Sequence, residues 1–157
     1  MTVAHIASVL SLILSPVVAA LLAIAAPPVI PVRGTVVDGF RAPACQRCAG
    51  HRGVTIATTA GSPVRAVTAG VIVFVGQVAN VLYVVEDIGS GARVTYGQLR
   101  RSSVVLGSVV ASGETLGESG EELYLGVRLR GKYVNPLQYL GFGTARLLGR
   151  GSVIVAR

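Results

Sequence analysis

After residue 33 the chain is divided by glycine and proline into short runs of β-branched and aromatic residues, with no stretch that repeats its apolar positions at helical spacing over several turns. The runs fall at residues 34–40, 54–57, 64–67, 70–78, 81–86, 93–99, 104–110 and 123–129. Between them stand turn signals such as Asp38-Gly39, Ala60-Gly61-Ser62-Pro63 and Asp87-Ile88-Gly89-Ser90-Gly91. Valine outnumbers leucine and tryptophan is absent, so the composition fits a pleated sheet better than a helical bundle. The prediction is an all-β domain, an antiparallel sheet or sandwich, whose one helical turn starts at Asn135-Pro136 and runs through Leu140.

The first 26 residues are different. From Ile6 to Ala26 no residue is charged, and the run ends in Ala23-Ile24-Ala25-Ala26 before Pro27-Pro28. That ending suits signal peptidase, and the length also suits an uncleaved membrane anchor. Both alternatives mean export, which places the chain in a bacterial cell envelope or outside the cell. His5 belongs to this segment. Residues 27–33 are a proline-rich linker, 34–140 the folded domain, and 141–157 a tail that either adds an edge strand or stays loose.

Export sets the reading of the cysteines. Cys45 and Cys48 are the only two, and in an oxidising compartment a local disulfide that shapes the loop is expected. No second Cys or His pair stands ready to complete a zinc site with them. Fourteen basic residues against seven acidic ones give a net charge of +7. Anionic envelope polymers are candidate partners on that ground. Nucleic acid is not, since no recognition helix and no stacking platform is present. Arg100-Arg101 and Arg128-x-Arg130-x-Lys132 are placed near a sheet edge, where they either bind such a polymer or prevent edge pairing. There is no Gly-x-Ser-x-Gly elbow and no phosphate loop, and Asp38 reads as turn chemistry.

Several segments carry a more specific signal in their order. These are Asp38-Gly39-Phe40-Arg41, His51-Arg52-Gly53-Val54, Gly61-Ser62-Pro63-Val64-Arg65-Ala66 and Ala69-Gly70-Val71-Ile72. Val94-Thr95-Tyr96-Gly97-Gln98-Leu99, Val109-Val110-Ala111-Ser112-Gly113-Glu114-Thr115-Leu116-Gly117 and residues 123–128 leading to Asn135-Pro136 follow. Together they resemble the LytM/lysostaphin-type zinc endopeptidases, which cut peptidoglycan cross-links, over about residues 34–140. The resemblance implies the family's antiparallel groove, the duplicated hybrid motif. It also implies a metal site: a His-x-x-x-Asp pair and the second His of a His-x-His strand bind zinc. The first His of that strand and the His of a Tyr-x-His-Leu strand assist proton transfer and transition-state charge.

This chain departs from that pattern at four of five positions. His51 matches the first ligand, but Thr55 stands where the Asp would be. Gln98 replaces the His of the Tyr-x-His-Leu strand, and Glu122 and Tyr124 replace both histidines of the other. A catalytic zinc needs three protein ligands and an open position. A neutral hydroxyl and a phenol are poor ligands at neutral pH. Glu122 and Tyr124 share a strand face, so Glu122 pointing into the groove beside His51 would give at most a His/Glu pair.

The expectation is therefore a catalytically inactive, LytM-type domain without retained zinc, with His51, Gln98, Glu122 and Tyr124 facing a groove. It would bind peptidoglycan stem peptides or regulate a cell-wall hydrolase. An active metalloendopeptidase with an atypical metal set of His51 and Glu122, completed by a partner, is the first alternative. A structural envelope protein whose groove has collapsed around Tyr124 is the second. Each groove residue also has a bland role: a loop hydrogen bond for His51, a solvated edge for Glu122, cross-strand bonding for Gln98 and sheet packing for Tyr96 and Tyr124.

Overall fold

The computed structural model describes residues 27–45 and 47–142; the N-terminal apolar run and the tail beyond Phe142 lie outside them. Nine antiparallel strands form one sheet. They are β1 (Thr35–Asp38), β2 (Gly53–Ala57), β3 (Pro63–Arg65), β4 (Gly70–Val78), β5 (Val81–Asp87), β6 (Ala92–Ser102), β7 (Val109–Val110), β8 (Thr115–Leu129) and β9 (Lys132–Val134). A helical turn, α1 (Pro136–Tyr139), closes the domain. The order across the sheet is β1-β2-β8-β6-β5-β4-β7, with β3 and β9 also paired to β8.

β8 is the spine, because it pairs with β2, β3, β6 and β9 along its fifteen residues. It begins at Thr115, eight residues before the expected start at 123. A Cβ at Gly117 would come within 2.1 Å of the Arg101 carbonyl oxygen. Glycine is required there because β6 and β8 approach too closely for a side chain.

One face of the sheet is the core. Val54 and Ile56 of β2, Leu123, Leu125 and Val127 of β8, and Val94 and Tyr96 of β6 are buried on it with Leu137 and Leu140 of the terminal turn. The alternation in these strands is the two-residue period of pleated strands. Asn135 caps α1 by accepting a hydrogen bond from the Leu137 N–H at 3.0 Å, as the Asn-Pro pair predicts.

Two expectations are corrected. Residues 104–110 form a strand only at Val109–Val110. Val105 and Leu106 are exposed, and the chain turns at Gly107, where φ is +85°. These apolar side chains have no neighbouring strand to pack on. The pairing of β6 with β5 ends at Leu99, so Arg100 and Arg101 lie where β6 is paired only to β8, and Arg101 pairs with Glu118 of β8 at 2.5 Å. Lys132 lies on β9, which pairs only with β8. Arg128, expected near an edge, instead lies on β8 between β6 and β9.

Candidate functional site

The second face of β2, β8 and β6 carries the residues singled out in the sequence. Thr55 stands opposite Tyr124, Ala57 opposite Glu122 and Gly53 opposite Gly126. On the other side of β8, Gly97 of β6 is the partner of Tyr124. This register gathers three glycines around one aromatic ring. A Cβ at Gly53 would approach the Tyr124 ring to 2.7 Å, and one at Gly126 would lie 2.9 Å from its hydroxyl. A Cβ at Gly97 would meet the Tyr83 ring at 2.5 Å. Two tyrosine rings thus cover the glycine floor.

His51 enters from the loop between β1 and β2. Arg41 and His51 exchange both backbone hydrogen bonds at 2.9 Å, which closes the loop carrying the Cys45–Cys48 disulfide. The disulfide is as expected. The imidazole Nδ1 donates to the Gly39 carbonyl at 2.9 Å and lies 3.4 Å from the Asp38 carboxylate. Both neighbours are acceptors, so Nδ1 carries the proton in the neutral ring. Nε2 is left to accept the Thr55 hydroxyl at 3.3 Å. The ring meets Tyr124 edge-on, with centroids 5.8 Å apart.

Asp38 is a partner that the sequence did not reveal. It reads as a turn residue there, and only the Arg41–His51 pairing brings it to the imidazole. The Arg41 guanidinium, hydrogen-bonded and ion-paired to it, holds its carboxyl below the usual range, with His51 a smaller contributor. Asp38, His51 and Thr55 form a relay like that of a hydroxyl nucleophile and its base. Thr55 is only 9% exposed, however, so the relay locks the imidazole rather than presenting a hydroxyl to substrate.

The four expected groove residues fall into two groups. His51 and Tyr124 are together. Gln98 and Glu122 line a separate shallow pocket with Ala57, Gly120 and Glu121. Gln98 sits at a bulge in β6 with φ of +63°, a left-handed conformation that is strained for a residue with a side chain. Its buried Oε1 has no partner among the described residues.

The fit to zinc can be tested on this geometry. The Asp38 carboxylate lies on the Nδ1 side of His51, and the free Nε2 side meets only the Thr55 hydroxyl and the edge of the Tyr124 ring. Burial, reinforced by Tyr133 and Tyr83, pushes the Tyr124 phenol up to about 12, so it is neutral at physiological pH. Among the described residues no three His, Cys, Asp or Glu side chains are grouped to share a metal ion. This set does not fit a catalytic zinc.

At the far end of the same face lies a second group. Arg52 and Arg128 each place a guanidinium 5.5 Å from the Tyr133 ring centroid. Arg52 also donates to the Cys48 carbonyl at 3.1 Å, which ties it to the disulfide loop. Reducing the disulfide should loosen this loop while costing at most about 2 kcal/mol of global stability, since the closed ring is short. Urea melts with and without reductant check the magnitude, and two freely alkylated thiols in the native protein would contradict the bond.

Residues 49–136 match the profile of Peptidase family M23. Among curated proteins, none matches the chain. Among solved structures, Helicobacter pylori Csd3 is similar at 24% identity and a TM-score of 0.66, covering 79% of this chain and 37% of that one. A zinc-containing peptidase from Vibrio cholerae is similar at 25% identity and a TM-score of 0.57, over 69% and 37%. The catalytic domain of lysostaphin from Staphylococcus simulans is similar at 23% and a TM-score of 0.53, over 66% and 89%. The chain thus spans little more than a third of the first two and most of the lysostaphin domain.

Proposed function

The chain belongs to Peptidase family M23, and from that premise we propose that it is an exported, non-hydrolytic member that binds peptidoglycan stem peptides in the cell envelope. The observation that carries this reading is the pair across β2 and β8. Thr55 and Tyr124 occupy the positions where the family pattern has an acidic and an imidazole ligand, and the Tyr124 ring covers Gly53 and Gly126. Without a firmly held metal, no bound water is lowered to a pKa near neutrality and no Lewis acid polarises an amide.

The rest of the face still suits an extended peptide. Phe74, Val85, Thr95, Tyr124 and Tyr133 line one open cleft together with Arg93 and Arg128, a track of mixed apolar and polar character. Glu122 and Gln98 line a separate shallow pocket, with Glu122 two residues from Tyr124 on β8. A domain that binds without cutting would position or restrain a wall hydrolase.

The purified chain should carry clearly substoichiometric zinc, release no muropeptides from purified wall, and bind soluble muropeptides. A Gln98→Ala, Glu122→Ala, Tyr124→Ala variant should bind them about tenfold or more weakly, from losing one or two contacts of ordinary strength. Circular dichroism checks that the variant folds, and Glu122→Ala alone, at an exposed position, serves as the control that leaves packing intact. One tightly held zinc per chain with muropeptide release would establish the peptidase reading instead. A folded triple variant that binds like wild type would remove the groove from the site.

A further inference from the structure

We propose that the basic pocket beside the β8–β9 turn holds a free carboxylate of the peptide that lies along the sheet face. This rests on the reading of that face as a peptide groove. Pro43 and Cys45 of the disulfide loop form one wall, and Arg52, Arg128, Lys132 and Tyr133 form the remainder that matters. The lining contains three cations and no carboxylate.

Three arginines elsewhere on the domain are neutralised locally: Arg41 by Asp38, Arg93 by Asp87 and Arg101 by Glu118. Two cations of the pocket have no such partner among the described residues. Arg128 donates through Nε to the Gly131 carbonyl at 3.0 Å, and its terminal nitrogens have no hydrogen-bond partner among the described residues. Lys132 has neither a hydrogen bond nor an ion pair among them. The Arg128 guanidinium, held against the Tyr133 ring beside the Lys132 ammonium, is repelled by it until an anion enters. The ring and the carbonyls fix the guanidiniums in advance, which lowers the ordering cost of binding.

The chemistry of the anion follows from the shape around it. A planar guanidinium engages a carboxylate through two parallel hydrogen bonds. Arg128 and Tyr133 are shared between this pocket and the cleft lined by Phe74, Val85, Thr95 and Tyr124. A ligand reaching both has an apolar or amide-rich body and one anionic end. A repeating polyanion would need cations spaced along its track. The next cation on that track, Arg93, is already paired with Asp87.

The test uses the full chain and a purified disaccharide-tetrapeptide muropeptide, titrated with its carboxylates free and after amidation. The free acid should bind about tenfold more tightly than the amide. The difference should shrink at high salt and disappear in the Arg128→Gln/Lys132→Gln variant, which keeps both side chains polar and exposed. Tyr124→Ala should weaken acid and amide alike, because it acts on the groove. Equal binding of acid and amide to wild type would overturn the carboxylate site while leaving the groove reading intact. If neither form binds, both readings fall, and tighter binding of poly(glycerol phosphate) than of the free acid would assign the pocket to a polymer.

Discussion

Exchanging Thr55 for Asp and Tyr124 for His together should give a chain that retains about one zinc ion, where the wild type is expected to retain far less. The backbone already places these two positions opposite each other on β2 and β8, with Cβ atoms about 5 Å apart as cross-strand partners are. His51 reaches the same point, since its Nε2 lies 3.3 Å from the Thr55 hydroxyl. Its Nδ1 is held by the Gly39 carbonyl at 2.9 Å, the kind of outer contact that fixes a ligating imidazole. Removing the phenol ring also clears the space over Gly53 and Gly126. Apparent zinc affinity should rise on the order of 100-fold or more in the double variant and little in either single one, because two ligands hold the ion weakly. Zinc retention after dialysis, read by atomic absorption, measures this. Wall hydrolysis should remain low, since Gln98 and Glu122 still occupy the proton-transfer positions of the family pattern. A double variant no better than wild type would mean that this register does not preserve the metal position.

The same residues show what the sequence could and could not disclose. Strands β4, β5 and β6 were legible because they are short runs rich in β-branched and aromatic residues bounded by turn signals. β8 was legible only in its second half, because its first half carries the glycines that close packing against β6 demands. β9 has three residues, too few for any period, and exists because it pairs back onto β8. At the site, the loss of ligands was visible as plain residue identity. The capping by Tyr124 was not, although the glycines at 53, 97 and 126 were its signal, each being a place where a side chain would strike a ring. Asp38 and the pocket of Arg52, Arg128 and Lys132 depend on loop closure and strand register, which join positions far apart in the chain. Arg128 was read as an edge residue because the sequence does not say that β9 folds back to cover β8 there.

Stability should fall as pH rises from about 4.5 to 7, and Glu86 is the cause. It lies on β5 with its side chain turned into the core, fully buried. One carboxyl oxygen accepts the Tyr96 hydroxyl at 2.7 Å, and that hydroxyl in turn accepts the Val67 N–H at 2.9 Å. The other oxygen has no partner among the described residues. Burial disfavours the charged form and lifts the carboxyl from 4.5 to about 7, against the smaller opposing effect of the Tyr96 hydrogen bond. Below pH 4.5 the group is protonated in both folded and unfolded chains, and its contribution is complete. Between 4.5 and 7 the unfolded chain releases the proton first, so each pH unit costs up to about 1.4 kcal/mol. Above 7 both states are ionised and the loss is constant, at an upper bound of about 3 kcal/mol. Asp38 and Asp87 act in the opposite sense, but their carboxyls are lowered from 3.8 and titrate below this window. Glu86→Gln keeps an acceptor for Tyr96 and removes the titration, so its stability should change less over this window than that of wild type. Urea midpoints of the two proteins at pH 4.5, 5.5, 6.5 and 7.5 make the comparison, and the difference between them isolates Glu86 from every other group. Parallel pH profiles would show that the carboxyl is not the source. A wild type that gains stability as pH rises would reverse the sign on which the whole assignment depends.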